Sequence, residues 1–139
     1  MSNKSISRQF FHLYGDLHDV EGATPLFADD AVINANTAPG PMDVNAYKQL
    51  GYAFLAGMPD MKVTVLEQIE EGDNVVSLVT WTGTHTGTLM GIPATGRFSQ
   101  SDAITIDRIV DGKIKERREI GNLLSMMQQL GVLPMPGPA

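Results

Sequence analysis

An α+β fold is what these 139 residues predict: a cone-shaped barrel whose strongly curved antiparallel sheet carries the N-terminal helices on its concave face. Three observations carry that prediction. Apolar residues recur at helical spacing as far as Leu55, and after Pro59 the period drops to two. Turn signals at Glu71-Gly72-Asp73, at Gly91-Ile92-Pro93-Ala94-Thr95-Gly96 and at Asp111-Gly112 then divide the second half into four long segments that pair as an antiparallel meander. Helices followed by a run of strands segregate to one face of a sheet, and a curved sheet closed by helices has an interior fit for a small apolar ligand.

Taken in order, Ile6, Phe10, Leu13, Tyr14, Leu17 and Val20 share one face, which predicts an amphipathic helix over about Ser5 to Val20. Thr24-Pro25 supplies an N-cap and first-turn pair for a short helix through Phe27. Ala31 to Asn36 reads as a short strand, and Thr37-Ala38-Pro39-Gly40-Pro41 as a loop. Asp43 caps a helix that aligns Val44, Tyr47, Leu50, Phe54 and Leu55. Strands begin with Lys62 to Ile69. Asn122 then caps a closing helix through Leu130, with Gly131 at its C-terminal end. A single domain is expected over residues 1–133, with a Pro-rich, disordered tail at 134–139.

Charge narrows the partners. Ten Lys and Arg against sixteen Asp and Glu leave a net charge of −6, and no basic cluster stands out, so nucleic acid and anionic membranes are poor partners. No cysteine is present for a disulfide, a thiolate nucleophile or a sulfur metal site, which fits a reducing cytoplasm. No apolar run approaches the ~18 residues of a membrane span. His12 and His18 lie six apart, off any one-face ligand spacing, and no metal is expected.

The segment Ile114-Lys115-Glu116-Arg117-Arg118-Glu119-Ile120 puts charges where a strand is expected. Period two places Lys115, Arg117, Glu119 and Gly121 on one face and Ile114, Glu116, Arg118 and Ile120 on the other. If Glu119 faces an interior, Arg117 faces it too. Burial would raise the carboxyl pKa and the guanidinium would lower it again, which leaves an ionised but reactive general base. A solvated strand with ion pairs each contributing about 0 to 1 kcal/mol is the plainer alternative. His85, in a Thr- and Gly-rich strand end, is expected chiefly as a hydrogen-bonded structural histidine and stands as a secondary site candidate. Tyr14 lies on the apolar face of the first helix with a hydroxyl in reach of a cavity.

Three ordered motifs carry a resemblance. The stretch Gly83-Thr84-His85-Thr86-Gly87 through Met90-Gly91-Ile92-Pro93-Ala94-Thr95-Gly96-Arg97, then Arg108-Ile109-Val110-Asp111-Gly112-Lys113-Ile114, then Gln129-Leu130-Gly131, is similar to the SnoaL-like polyketide cyclases over about residues 5 to 133. The resemblance implies the cone-shaped barrel of the nuclear transport factor 2 and ketosteroid isomerase superfamily. It also implies an acid-base carboxylate on the strand after the DGKI turn, used in an intramolecular aldol closure without metal or cofactor. That position is Glu119, where the family usually has Asp. The family's partner histidine aligns with Thr105, its usual His-Trp pair with Arg117-Arg118, and a frequent later Asp with Asn122. Asn34 falls close to a pocket asparagine that would hydrogen-bond an enolate oxygen. Thr105 and Asp107 share a parity and are expected on the pocket wall.

The expectation is a cofactor-independent acid-base enzyme with Glu119 as base, acting on a bulky, largely apolar carbonyl compound. Arg117, Thr105, Asn34, Tyr14, His85 and Asp107 shape its pocket. A tailoring hydroxylase on the same scaffold and a non-catalytic binding protein for hydrophobic small molecules are the alternatives. A homodimer through the outer sheet face is expected from the resemblance.

Overall fold

A computed structural model describes residues 2–135. The last four residues of the tail expected to be disordered, 136–139, lie outside the described residues. The helices are α1 (Asn3–Phe10), a π-helical segment (Phe11–Asp16), α2 (Val20–Ala23) with a 3-10 turn at Thr24–Leu26, α3 (Val44–Gly57) and α4 (Leu123–Gln129). The strands are β1 (Phe27–Ala35), β2 (Lys62–Glu71), β3 (Asn74–Thr84), β4 (Phe98–Val110) and β5 (Lys113–Gly121). No helix among the described residues is long and apolar enough to cross a membrane.

The five strands form one sheet in the order β1-β5-β4-β3-β2. β2 to β5 are the predicted antiparallel meander, but β1 joins β5 in parallel, so the sheet is mixed rather than wholly antiparallel. Register shifts at Val65/Glu67 in β2, between Arg108 and Ile109 opposite β5, and between Phe27 and Val32 in β1 bend the strands, which is how bulges curve a sheet. Asp111 and Gly112, with φ of 51° and 75°, close the β4–β5 hairpin as the Asp-Gly signal requires.

The single first helix expected from periodicity is broken. α1 is regular to Phe10, the chain then widens into π-helix, and His18 adopts a left-handed φ of 58°. The cause lies in the sheet. Gly15 sits so close to β2 that an added Cβ would be 2.3 Å from Val63 Cγ1. α2 starts afresh with Asp19, whose carboxylate accepts from the Gly22 N–H at 2.9 Å. The expected Thr24-Pro25 start is therefore an extension of α2, and β1 begins at Phe27 rather than Ala31. Asp43 and Asn122 cap α3 and α4 as predicted, accepting from Ala46 N–H at 2.8 Å and Ser125 N–H at 3.1 Å.

The main core lies between the concave sheet face and α1, where Phe10, Phe11, Ile33, Val75, Val79 and Ile109 are buried. A second cluster of Met58, Met61, Leu89, Met126 and Leu130 plugs the other end. α3 differs from both. Only Gly57 of its fourteen residues is fully buried, because its inward side borders open space, with Val44, Tyr47, Phe54 and Leu55 only partly buried against the two cores.

Candidate active site

That space is a cavity of about 140 Å³ between the sheet, the π-helical segment, α2, α3 and α4. Phe10, Tyr14, Phe27, Phe54 and Trp81 contribute aromatic wall, and Met58, Met61 and Met126 a softer end. The polar lining includes Glu119, Tyr47, Lys48, Asn36 and Asn122.

β5 sets the Glu119 side chain by simple alternation, modified by one bulge. Asp107 pairs with Arg117 and Thr105 with Glu119 across β4, while Arg108 pairs with Glu116 and Ile109 with Ile114, which leaves Lys115 as the extra residue. The parity expected for Ile114 is thereby corrected. It turns inward, fully buried beside Ile109, while Ile120 projects outward at 68 % exposure. Beyond the bulge, Arg117 and Glu119 both face inward as predicted.

Glu119 is half-buried, and the cavity accounts for its open side. Its Oε1 accepts a hydrogen bond from the Tyr47 hydroxyl at 2.7 Å. Arg117 Nη1 donates to that same hydroxyl at 3.3 Å. Arg117 is itself fully buried and spent on Asp107, with Nε to Oδ1 at 2.7 Å and Nη2 to Oδ2 at 2.8 Å, while Ser7 Oγ donates to Oδ2 at 2.8 Å. Its guanidinium lies over the Phe10 ring at 3.9 Å, a cation–π contact away from water. Burial disfavours that charge, but the Asp107 carboxylate together with Tyr47 and Glu119 outweighs it, so Arg117 stays protonated.

Burial raises the Glu119 pKa above the usual glutamate range, and the Arg117 charge and the Tyr47 hydrogen bond offset this only in part. Asp107 pushes it in the same upward direction. Burial and the neighbouring Glu119 charge hold the Tyr47 hydroxyl protonated, and the same two causes act on Tyr14.

Of the residues expected at the site, Glu119 and Tyr14 line the cavity, although the Tyr14 hydroxyl is engaged, donating to Gly51 O at 2.9 Å. Arg117 and Asp107 lie beneath it rather than on its wall. Thr105 is buried opposite Glu119 and does not line the cavity; its hydroxyl has no hydrogen-bond partner among the described residues. Asn34 is displaced from the expected place. β1 turns it to the outer face, where it borders a separate cleft with Pro39, Arg118 and Ile120. Asn36, two residues on, borders the cavity, with its amide tied to the backbone of Gly121 at 2.8 and 3.0 Å. His85 is also outside the cavity, fully buried with Nδ1 at 3.0 Å from Thr95 Oγ1.

Sequence reasoning places Tyr47 on the apolar face of its helix without giving it a site role. The available signal is a hydroxyl among Val44, Leu50 and Phe54. Lys48 escapes it as well. It lines the cavity while its ammonium pairs with Glu21 on α2 at 2.7 Å.

Comparisons with known proteins agree with this architecture. A family model described as SnoaL-like polyketide cyclase matches residues 5–130. The aklanonic acid methyl ester cyclase DnrD of Streptomyces peucetius is 36 % identical over 108 residues, 72 % of this chain and 74 % of that one. The nogalonic acid methyl ester cyclase of Streptomyces nogalater is 28 % identical over 77 % of this chain and 78 % of its own. Among solved structures, IdmH of Streptomyces antibioticus, a candidate polyketide cyclase, superposes with a TM-score of 0.81 at 29 % identity, over 95 % of this chain and 100 % of that one. AclR of Streptomyces galilaeus, a candidate hydroxylase, gives a TM-score of 0.88 at 24 % identity, over 97 % of this chain and 84 % of that one, a likeness of fold.

Proposed function

Because the chain belongs to the SnoaL-like polyketide cyclase family, we propose that it closes a ring by cofactor-independent intramolecular aldol chemistry, with Glu119 as the general base. The substrate is a bulky, largely apolar carbonyl compound held in the cavity. The observation that carries this reading is the Glu119 carboxyl on the cavity wall, with Oε1 bound to Tyr47 and its open side toward the cavity.

In this mechanism Glu119 takes a proton from the carbon beside a carbonyl, and the electron pair left behind forms the enolate. The enolate carbon attacks a second carbonyl carbon of the same molecule. One carbon–carbon bond forms, the π pair moves onto oxygen, and the proton held by Glu119 passes to that alkoxide. Product and substrate are isomers, so the base is regenerated without any co-reactant. A carboxylate whose pKa is raised by burial is a stronger base than one in water, and aromatic walls exclude the water that would quench the enolate. Tyr14 supplies ring surface to the wall, Arg117 held by Asp107 supports the base from beneath through Tyr47, and Thr105 packs under it as its β4 partner.

The esters named for the two relatives, aklanonic and nogalonic acid methyl esters, are the substrates to try. Ring closure should proceed with no added cofactor, and the product should carry no label from oxygen-18 gas. Label in the product would indicate a hydroxylase. Tight binding of both esters without turnover would indicate a binding protein. The same reading puts the protein in the cytoplasm as a homodimer joined through the outer face of its sheet.

A further inference from the structure

We propose that Tyr47 is a positioning residue for the base: its hydroxyl, held from beneath by Arg117, fixes the Glu119 carboxyl with Oε1 engaged and Oε2 left to the cavity, while Asp107 keeps Arg117 from pairing with the base directly. This rests on the reading of Glu119 as base and deepens it.

The geometry is a chain of short contacts that runs out of the cavity into the core. Glu119 Oε1 receives the Tyr47 hydroxyl at 2.7 Å, and among the described residues Oε2 accepts no hydrogen bond. The Tyr47 oxygen in turn receives Arg117 Nη1 at 3.3 Å. Arg117 directs its other two nitrogens, Nε and Nη2, to Asp107, so the cation is shared out before it reaches the base. A guanidinium paired bidentately with Glu119 would stabilise the carboxylate and blunt it. Here one neutral hydroxyl stands between them. The unit of Arg117, Asp107 and Glu119 carries one positive and two negative charges, so the base keeps an uncompensated charge in a buried place.

Packing fixes the phenol as firmly as the hydrogen bonds do. The Tyr47 ring stands 5.7 Å from Phe27 edge to face and 6.3 Å from Phe10, a ring that also carries the Arg117 guanidinium at 3.9 Å. The ionisable groups that act on Glu119 or share its cavity are Tyr47 and Lys48 from α3, Arg117 from β5, Asp107 from β4 and Tyr14 from the π-helical segment, while Asp102 borders the cavity from an exposed position of the opposite parity on β4. Lys48 is paired with Glu21, and Asp102 accepts from Thr80 Oγ1 at 2.7 Å. Tyr14 spends its hydroxyl on Gly51 O. Tyr47 is thus the group that sets which carboxyl oxygen is free.

The test is the pH titration of the Glu119 side-chain carboxyl, followed by carbon-13 NMR in the whole protein without substrate and assigned with Glu119→Gln. Tyr47→Phe keeps the ring and removes the hydroxyl. It should raise the midpoint by about one pH unit, the effect of losing a hydrogen bond to a charge. Asp107→Asn should lower it, because Arg117 is released toward the base. Near-UV circular dichroism confirms that each variant is folded. A Tyr47→Phe protein with the wild-type midpoint, or an Asp107→Asn protein whose midpoint stays or rises, overturns the proposal. These readouts involve no turnover. If Glu119→Gln remained active while the midpoints moved as expected, the catalytic reading would fail and the positioning would stand.

Discussion

Glu119 costs the fold stability in return for chemistry. Burial first of all raises its pKa in the folded chain, and the unfolded chain has no such burial. Between the ordinary glutamate pKa and the raised one, the folded state binds more protons than the unfolded state, so stability falls as pH rises through that window. Above it the loss is complete, at about 1.4 kcal/mol for each pH unit that the window spans. Glu119→Gln, which keeps the shape and an acceptor for Tyr47, should therefore melt at a higher temperature than the wild type at neutral pH. The advantage should vanish below the ordinary glutamate range, and thermal melts across pH check both ends. The position of Glu119 is legible from the resemblance, which aligns it with the family's carboxylate after the DGKI turn, and alternation adds only that Arg117 shares its face. Tyr47 is not, since a tyrosine on the apolar face of a helix looks the same whether its hydroxyl meets a base or a backbone carbonyl. Arg117 faces inward as alternation requires, but sequence does not show that Asp107, directly across β4, consumes it.

Among the elements, α3 and β5 matter most, and sequence describes them unequally. α3 is readable in full, from the Asp43 cap through its apolar face, because capping and period are local properties. What that face covers is not local. Its residues look like core and instead roof a cavity, which is why Tyr47, Lys48 and Phe54 line it. In β5 one bulge reverses the parity between Ile114 and Arg117, so a strict count of two is right for Glu119 and wrong for Ile114. The break in the first helix belongs to the same class. It is imposed by Gly15 meeting Val63 on β2, a contact between distant parts of the chain, and it displaces Leu17 to 58 % exposure where periodicity puts it in the core. Asn34 fails for a related reason: β1 pairs in parallel with β5, and that register turns Asn34 outward beside Arg118.

At the scale of the whole molecule, the change of period after Pro59 foretells layers and order, and the parallel edge strand stays hidden because pairing direction leaves no mark on a nine-residue strand. The outer sheet face exposes Ile104, Ile106 and Ile120, with Arg118 and Glu116 among them. Sheet faces of this kind are commonly covered. Sedimentation should give twice the mass of the chain, and Ile120→Arg should sediment as a monomer that keeps its fold; a wild-type monomer at all concentrations would refute the dimer. The central claim is that a carboxylate on the wall of the cavity between the curved sheet and the helices does the chemistry. Its most direct test is the rate of ring closure of aklanonic acid methyl ester by wild type and by folded Glu119→Gln. Loss of about 10² to 10⁴-fold in kcat is the predicted result, the usual contribution of a general base. Closure by the variant at the wild-type rate would contradict the account.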